Sequence, residues 1–174
     1  MTRIDRLAVM TPEVALVPDR RYPKVLAGMI GRARARVWAS LFMLDLDVAG
    51  DPGHAVMGVL NGLAAAQWRG IDVRLIVSGS RDNYAIAETA ATAVAMGRQM
   101  GIPTRWLGAR ARRGSHAKFV IADDEVLLGS HNWSPSAFLA STQDSTWLQS
   151  PPLASYLGSL FAAQWSRAPR KEDA

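Results

Sequence analysis

The sequence HAKFVIADDEVLLGSHNWS, at residues 116–134, contains two apolar segments separated by three acidic residues. Residues 116–122 and 126–132 have the length and apolar content of β-strands, and the acidic residues between them form a polar break suited to a turn. This stretch therefore predicts a β-hairpin, against which the other elements of the fold must pack.

Polar side chains recur on both strands of the predicted hairpin. Because side chains alternate between the faces of a strand, His116 and Lys118 should point the same way, as should Ser130 and Asn132. An imidazole, an ammonium group and two neutral hydrogen-bond donors suit a phosphoryl group, on which negative charge accumulates during reaction. The chain has no cysteine, which excludes disulfides, thiolate metal sites and a cysteine nucleophile. No metal and no cofactor are expected in this arrangement.

The segments before and after the hairpin alternate between strand-like and helix-like patterns. Short apolar runs bounded by turn residues predict strands, and apolar residues spaced by three and four predict helices. The predicted strands are residues 14–17, 37–44, 72–77, 103–107 and 144–148, and the predicted helices are residues 22–34, 54–69, 85–100 and 151–165, with a short helical turn at 134–139. This order predicts an α/β fold with a mixed, mostly parallel β-sheet flanked by helices on both faces.

The size and composition of the chain indicate one globular unit. A length of 174 residues suits a single domain, residues 1–174, and 49% hydrophobic with 20% charged residues is ordinary for a folded protein. No run approaches the roughly 18 to 20 apolar residues of a membrane span, and the first residues lack a signal peptide's apolar region. We therefore expect a cytoplasmic protein with no transmembrane segment.

Positive charge is concentrated just before the hairpin. The formal net charge is +5, and no acidic residue lies between Glu88 and Asp123. A basic loop next to His116 would hold a polyanion, because arginine presents a planar fork of donors to phosphate. The loop residues predicted to bind phosphate are Arg110, Arg112, Arg113 and Ser115.

Residues 116–134 resemble the phospholipase D signature, His-x-Lys-x-x-x-x-Asp followed by Gly-Ser-x-Asn. Matched in turn, the first part falls on His116, Lys118 and Asp123, with a spacer about one residue short before the second part. The second part falls on Gly129, Ser130 and Asn132. The order of strands and helices extends the resemblance to about residues 14–166. Asp123 is a motif residue whose own chemistry favours a turn-stabilising role, since strand alternation places it away from His116.

The resemblance implies a metal-independent phosphodiesterase. In such a site His116 would attack phosphorus to form a phosphohistidine, and Lys118 and Asn132 would hold the phosphate oxygens, while a second histidine would protonate the leaving oxygen. The chain has one copy of a motif that the family's active site uses twice, and neither His54 nor His131 lies in a second copy. We therefore expect a homodimer with a shared active site, in which each subunit supplies His116.

Two further site residues are less directly specified by the pattern. The family usually carries a glutamate about a dozen residues after the asparagine, hydrogen-bonded to the nucleophilic histidine. The nearest acid is Asp144, which we assign to that role, whereas an ungapped match selects Gln143. Trp133, which follows Asn132, is the tryptophan expected at the rim of the cleft.

Three activities are compatible with the pattern. The basic segment and the small single-motif chain favour a nuclease acting on nucleic acid. A phospholipid hydrolase or phosphatidyltransferase is the first alternative, because the same chemistry serves both substrates. A non-catalytic nucleic-acid-binding subunit with the same fold is the second.

Overall fold

The computed structural model describes residues 13–46, 54–78, 83–109 and 115–168. The strands are β1 (Glu13–Pro18), β2 (Arg36–Leu41), β3 (Asp72–Val77), β4 (Thr104–Trp106), β5 (Phe119–Ala122), β6 (Glu125–Gly129) and β7 (Asp144–Gln149). The helices are α1 (Tyr22–Arg32), α2 (Ala55–Trp68), α3 (Tyr84–Gln99), α4 (Pro135–Leu139) and α5 (Pro151–Arg167), with 3-10 turns at Asp19–Arg21 and Leu107–Ala109. None of the helices in the described ranges is long and apolar enough to cross a membrane.

The seven strands form one mixed sheet in the order β1-β7-β6-β5-β2-β3-β4. Only β2 with β3 and β3 with β4 pair in parallel. The other four neighbouring pairs are antiparallel, so the prediction of a mostly parallel sheet is wrong. The reason is connectivity: α2 and α3 cross over between parallel strands, whereas the β5–β6 hairpin and its extension to β7 return antiparallel.

Helices cover both faces of the sheet, as predicted. Alternate side chains of each buried strand divide between two apolar clusters, because neighbouring residues of a strand point to opposite faces. In β5, Val120 and Ala122 join the cluster under α1, α2, α3 and α4. Phe119 and Ile121 join the second cluster, which packs on Phe161 of α5. All four side chains of β5 are buried, so this strand lies at the centre of the core.

The hairpin strands are shorter than predicted. β5 begins at Phe119 and β6 ends at Gly129, so the polar motif residues lie beyond both strands. β2 pairs with β5 only from Val37 to Ser40. In the hairpin, the backbone hydrogen bond from Gly129 N to Lys118 O, at 3.2 Å, lies just outside the paired residues of β5 and β6. The motif side chains therefore lie on short, irregular segments just beyond the ends of these two strands.

The hairpin turn is held by the side chain of Asp123. Its carboxylate accepts hydrogen bonds from the backbone amides of Arg34, Ala35 and Arg36, at 2.7, 2.9 and 2.9 Å. Asp123 adopts a left-handed backbone conformation with φ of 53°, which Asp tolerates better than most residues. Burial alone would raise the pKa of this carboxyl, but the three amides and the charge of Arg36 hold the pKa below its usual value. Asp123 is therefore a structural residue, as its chemistry predicts.

Asp123→Asn tests this role, because asparagine tolerates the same backbone conformation but carries no charge. We expect the free energy of unfolding at pH 7 to fall by about 1 kcal/mol, a modest value because the turn is partly exposed. The loss should be complete above the ordinary pKa of 3.8 and should disappear as the pH falls through the lower folded-state pKa. Urea unfolding between pH 2 and 7, with Asp124→Asn as the control, measures this. Equal effects of the two variants would contradict the assignment.

Candidate active site

The motif histidine lies at the end of the sheet where β2 and β6 finish and β5 begins. His116 is exposed, and its ring packs on Phe42, the residue after β2, with centroids 4.4 Å apart and planes tilted by 43°. Phe42 gives the imidazole an apolar support on one side. The other side of the ring stays accessible, as a nucleophile requires.

Lys118 lies beside His116, as the motif predicts. Its Nζ is 3.1 Å from His116 Nδ1 and 3.0 Å from the His116 carbonyl oxygen, and it lies 5.3 Å from the centre of the Phe42 ring. Partial burial lowers the pKa of Lys118 from its usual value. Because an ammonium group can only donate, Nδ1 is the acceptor and the imidazole proton belongs on Nε2 in this arrangement.

Ser130 is fixed against the start of β7. Its hydroxyl lies 2.6 Å from Gln143 Oε1, to which it donates, and accepts a hydrogen bond from Asp144 N at 3.0 Å. Its backbone amide donates to Asp144 O at 2.9 Å. A Cβ at Gly129 would overlap the Asp144 carbonyl and the Ser145 side chain. Gly129 therefore allows the close approach of β6 and β7.

Asn132 has a side-chain oxygen that lacks a hydrogen-bond donor in the described part of the chain. Its Oδ1 is buried and has no hydrogen-bond partner among the described residues. A buried acceptor without a donor is costly, and such atoms mark places that a ligand, a water or another chain completes. The position after it, Trp133, is anchored by backbone bonds to Met43 and Asp45.

Trp133 does not line the cleft. Its side chain is 0% exposed, and its Nε1 donates to the Tyr22 hydroxyl at 3.2 Å. The prediction that it lies at the rim is wrong, because the bridge between Leu44 and Trp133 turns this side chain into the core while Asn132 stays at the edge. Trp133 thus anchors the segment that carries Asn132.

The other two histidines are not part of this arrangement. His131 is buried, stacks on Tyr22 and contacts Ser145 Oγ at 2.8 Å and Asp19 O at 3.2 Å. The Asp19 carbonyl can only accept, so Nε2 carries the proton, and burial lowers the pKa of His131, which favours the neutral ring. His54 is exposed at the start of α2. Both had been expected to lie outside the catalytic set.

Asp144, the acid predicted to hydrogen-bond to His116, does not do so within one chain. Asp144 is exposed, and no hydrogen bond joins its carboxylate to His116 in the described part of the chain. Gln143 is the residue that reaches the motif, through Ser130. Asp19 holds Gln143 in place, accepting from Gln143 N at 2.8 Å and donating to Gln143 O at 2.9 Å. Gln143, which the ungapped match to the family pattern selects, is therefore the residue whose side chain contacts a motif residue.

The loop before His116 is described only at its end. Arg110, Arg112 and Arg113 lie outside the described residues. Ser115 was expected to bind substrate, but its amide donates to Ser78 Oγ and its hydroxyl accepts from Ala117 N at 3.1 Å. These bonds give Ser115 a role in shaping the backbone before His116. Nowhere in residues 13–46, 54–78, 83–109 or 115–168 do three or more His, Asp or Glu side chains form a group that could hold a metal ion.

A sequence model of one family, "Cardiolipin synthase, PLD-like domain", matches residues 26–165. The chain belongs to this phospholipase D-like family. The match spans the sheet from β2 to β7 and includes every motif residue described above. No curated protein sequence matches the chain significantly.

Three solved structures show that this fold occurs in other proteins. Nuc of Salmonella typhimurium, described as a phospholipase D family member, superposes with a TM-score of 0.73 at 19% identity, over 91% of this chain and 97% of Nuc. NucT of Helicobacter pylori gives 0.64 at 17% identity, over 91% and 98% of the two chains. Phosphatidylserine synthase of Haemophilus influenzae gives 0.63 at 12% identity, over 90% of this chain and 38% of the synthase.

Gly129→Ala tests the close approach of β6 and β7. The added methyl group would force these strands apart, so we expect a loss of about 1 to 3 kcal/mol in the free energy of unfolding, together with displacement of Ser130. Gly58→Ala is the control, since nothing lies within 4 Å of its Cβ and alanine favours a helix by up to about 1 kcal/mol. Thermal unfolding of both variants decides the point, and an unaltered melting temperature for Gly129→Ala would contradict it.

Proposed function

We propose that this phospholipase D-like chain is a metal-independent nuclease that hydrolyses phosphodiester bonds through a phosphohistidine on His116. The observation that carries the proposal is the contact between Lys118 Nζ and His116 Nδ1 at 3.1 Å, on the edge where Ser130 and Asn132 also emerge. A nucleophile, a cation and neutral polar groups on one edge are what phosphoryl transfer needs.

The first step forms a bond between His116 Nε2 and phosphorus and breaks the bond to the leaving oxygen. For this Nε2 must be free of its proton, which requires Lys118 to leave Nδ1. A substrate phosphate draws the ammonium group away, because charge-assisted hydrogen bonds to its oxygens are stronger than a bond to a neutral ring nitrogen. The proton can then reside on Nδ1, and the Nε2 lone pair faces phosphorus.

The second step hydrolyses the phosphohistidine. A second imidazole, which gave its proton to the leaving oxygen, removes a proton from water, and the resulting hydroxide attacks phosphorus and releases His116. We assign this imidazole to the partner subunit's His116. His131 is buried with both ring nitrogens engaged, so it is not suited to the role, and His54 lies outside the motif. The unpartnered Asn132 Oδ1 is a further sign that one chain forms an incomplete site.

A symmetric dimer also accounts for apolar side chains on one side of the molecule. On β1, Val14 and Leu16 are 58% and 65% exposed, opposite the face on which Val17 joins the core. Tyr156 and Leu160 of α5 are 40% and 42% exposed on that same side of the sheet. β1 pairs with β7 up to Pro18 and Asp144, so this surface extends to the edge that carries the site. We propose that a second copy covers it through an isologous contact.

Nucleic acid is the proposed substrate because of charge. The chain carries a net charge of +5 and an acid-free segment between Glu88 and Asp123 that leads into His116. Such a segment attracts a polyanion over several phosphates, which a phosphodiesterase of small lipids does not need. Arg110, Arg112 and Arg113 are proposed to bind the phosphates that flank the scissile bond.

A phosphatidyl substrate is the second candidate. It is favoured by the family's own description as a cardiolipin synthase domain and by the fold shared with a phosphatidylserine synthase. A subunit that binds nucleic acid without cleaving it is the third, and the Gln143 carboxamide at the position of the usual carboxylate is the feature that favours it.

His116→Ala is expected to abolish cleavage of labelled single-stranded and duplex DNA and of RNA, by at least about a thousand-fold, because the nucleophile is removed. Wild-type activity should persist in EDTA. His54→Ala is the control and should retain full activity. Turnover of phosphatidylcholine alone would replace the nuclease by the second candidate, and tight, salt-sensitive DNA binding without turnover by the third.

Leu16→Glu is expected to convert the dimer to a monomer and to remove activity, since a carboxylate would be buried in the contact without a partner. Trp68→Glu is the matched control, because Trp68 is 89% exposed at the end of α2, away from the proposed interface. Light scattering gives the mass, and the same cleavage assay gives the activity. A monomeric wild type with full activity would reject the shared site.

A further inference from the structure

Two buried serines and a glutamine lie behind the segment that carries His116. Ser40, in β2, and Ser78, directly after β3, are each 0% exposed, and Gln164 lies on α5. Apolar side chains fill the positions around them in the core. Polar groups in such positions are costly unless they make specific hydrogen bonds, so their bonds indicate what they are for.

The backbone around His116 has no strand to hold it. Residues 115–118 precede β5, so the sheet does not supply acceptors for the amides there. Side-chain hydroxyls do so instead: Ser78 Oγ accepts from Ser115 N, and Ser115 Oγ accepts from Ala117 N at 3.1 Å. The amides on either side of His116 are thus fixed by serine side chains.

Ser78 is itself rigidly placed. Its amide donates to Leu41 O at 2.8 Å, and its carbonyl accepts from Trp106 Nε1 at 2.8 Å and Gly108 N at 3.2 Å. Its hydroxyl is therefore held at the end of two parallel strands, β2 and β3. Because Ser78 is fixed relative to the sheet, its hydrogen bond to Ser115 also fixes the backbone before His116 relative to the sheet.

Gln164 extends the same chain of hydrogen bonds to α5. Ser40 Oγ donates to Gln164 Oε1 at 2.9 Å, and Gln164 Nε2 lies 3.5 Å from Ser115 Oγ, a long and weaker contact. The carboxamide is oriented by Ser40, so that its NH₂ group faces Ser115. The C-terminal helix is thereby linked to the nucleophile segment through polar contacts rather than through packing alone.

We propose that Ser78 and Gln164 are positioning residues that set the orientation of His116 for attack on phosphorus. The inference rests on the proposed function. Neither residue touches the substrate in this account; both act through Ser115, one residue before His116. Because a displacement of about 1 Å at a reacting group can reduce a rate up to about a hundred-fold, loss of these bonds should affect turnover more than binding.

Ser78→Ala and Gln164→Met test the proposal, with Gln67→Met as the matched control. Gln67 Oε1 accepts from Val73 N at 3.2 Å near the opposite end of β3, so its loss removes one comparable bond far from His116. We expect kcat to fall about ten-fold in Ser78→Ala, with KM within about two-fold, and less in Gln164→Met. Gln67→Met should keep both constants. Restoration of kcat in Ser78→Thr, which keeps the hydroxyl, would support positioning.

A readout without catalysis separates this inference from the proposed function. The ¹H–¹³C signal of the His116 ring, assigned by its loss in His116→Ala, should shift in Ser78→Ala and in Gln164→Met but not in Gln67→Met. A wild type without turnover would refute the proposed function, and the His116 signal would still decide the positioning role. If all three variants lose similar stability while the His116 signal and kcat stay unchanged, positioning is refuted. Should Ser78→Ala fail to fold, Gln164→Met alone decides in the same way.

Discussion

The Asp123 carboxylate accepts hydrogen bonds from three consecutive backbone amides at the start of β2, and the site depends on this contact. It joins the turn of the β5–β6 hairpin to β2 and so sets their register, in which Val37 lies opposite Ala122 and Ser40 opposite Phe119. Because this register is fixed, the opposite ends of the same strands lie side by side at the other end of the sheet. There Phe42 leaves β2, and His116 packs against it.

The candidate site lies where the regular strands stop. β5 begins just after Lys118, and β6 ends just before Ser130, so the motif side chains project from backbone that no longer pairs fully within the sheet. Substitutes for strand pairing hold this backbone in place: the hydroxyls of Ser78 and Ser115 on one side, and the Ser130 contact with β7 on the other. In the proposed function this irregular backbone makes room for a phosphate, while these hydrogen bonds keep the motif side chains in position.

The sequence predicted much of this architecture because its elements have strong local patterns. β3 was predicted with its observed bounds, and the helices to within one or two residues at most ends, since apolar periodicity and turn residues define them locally. Strand direction was not a local property: two crossovers suggested a mostly parallel sheet, whereas the hairpin and β7 make antiparallel pairs the majority.

The motif identified His116 and Lys118 because it is specific in residue type and spacing, and the structure brings the two together. The burial of Trp133 depends on a bridge to Leu44, a residue distant in sequence, and the contact of Gln143 with Ser130 depends on how β7 approaches β6. Ser78 carried no signal of its own, since a serine at the end of an apolar strand resembles many others. These roles follow from tertiary contacts, which a single sequence does not encode in any local pattern.

Rapid acid-free quenching of the reaction with DNA, followed by mass spectrometry of the intact chains and their peptides, tests whether His116 forms a phosphohistidine. We expect a DNA fragment joined through its terminal phosphoryl group to the peptide containing His116, by a linkage stable in alkali and labile in acid, on about one chain in two because one site serves each dimer. An adduct on His54 or His131, or turnover without any histidine adduct, would contradict it.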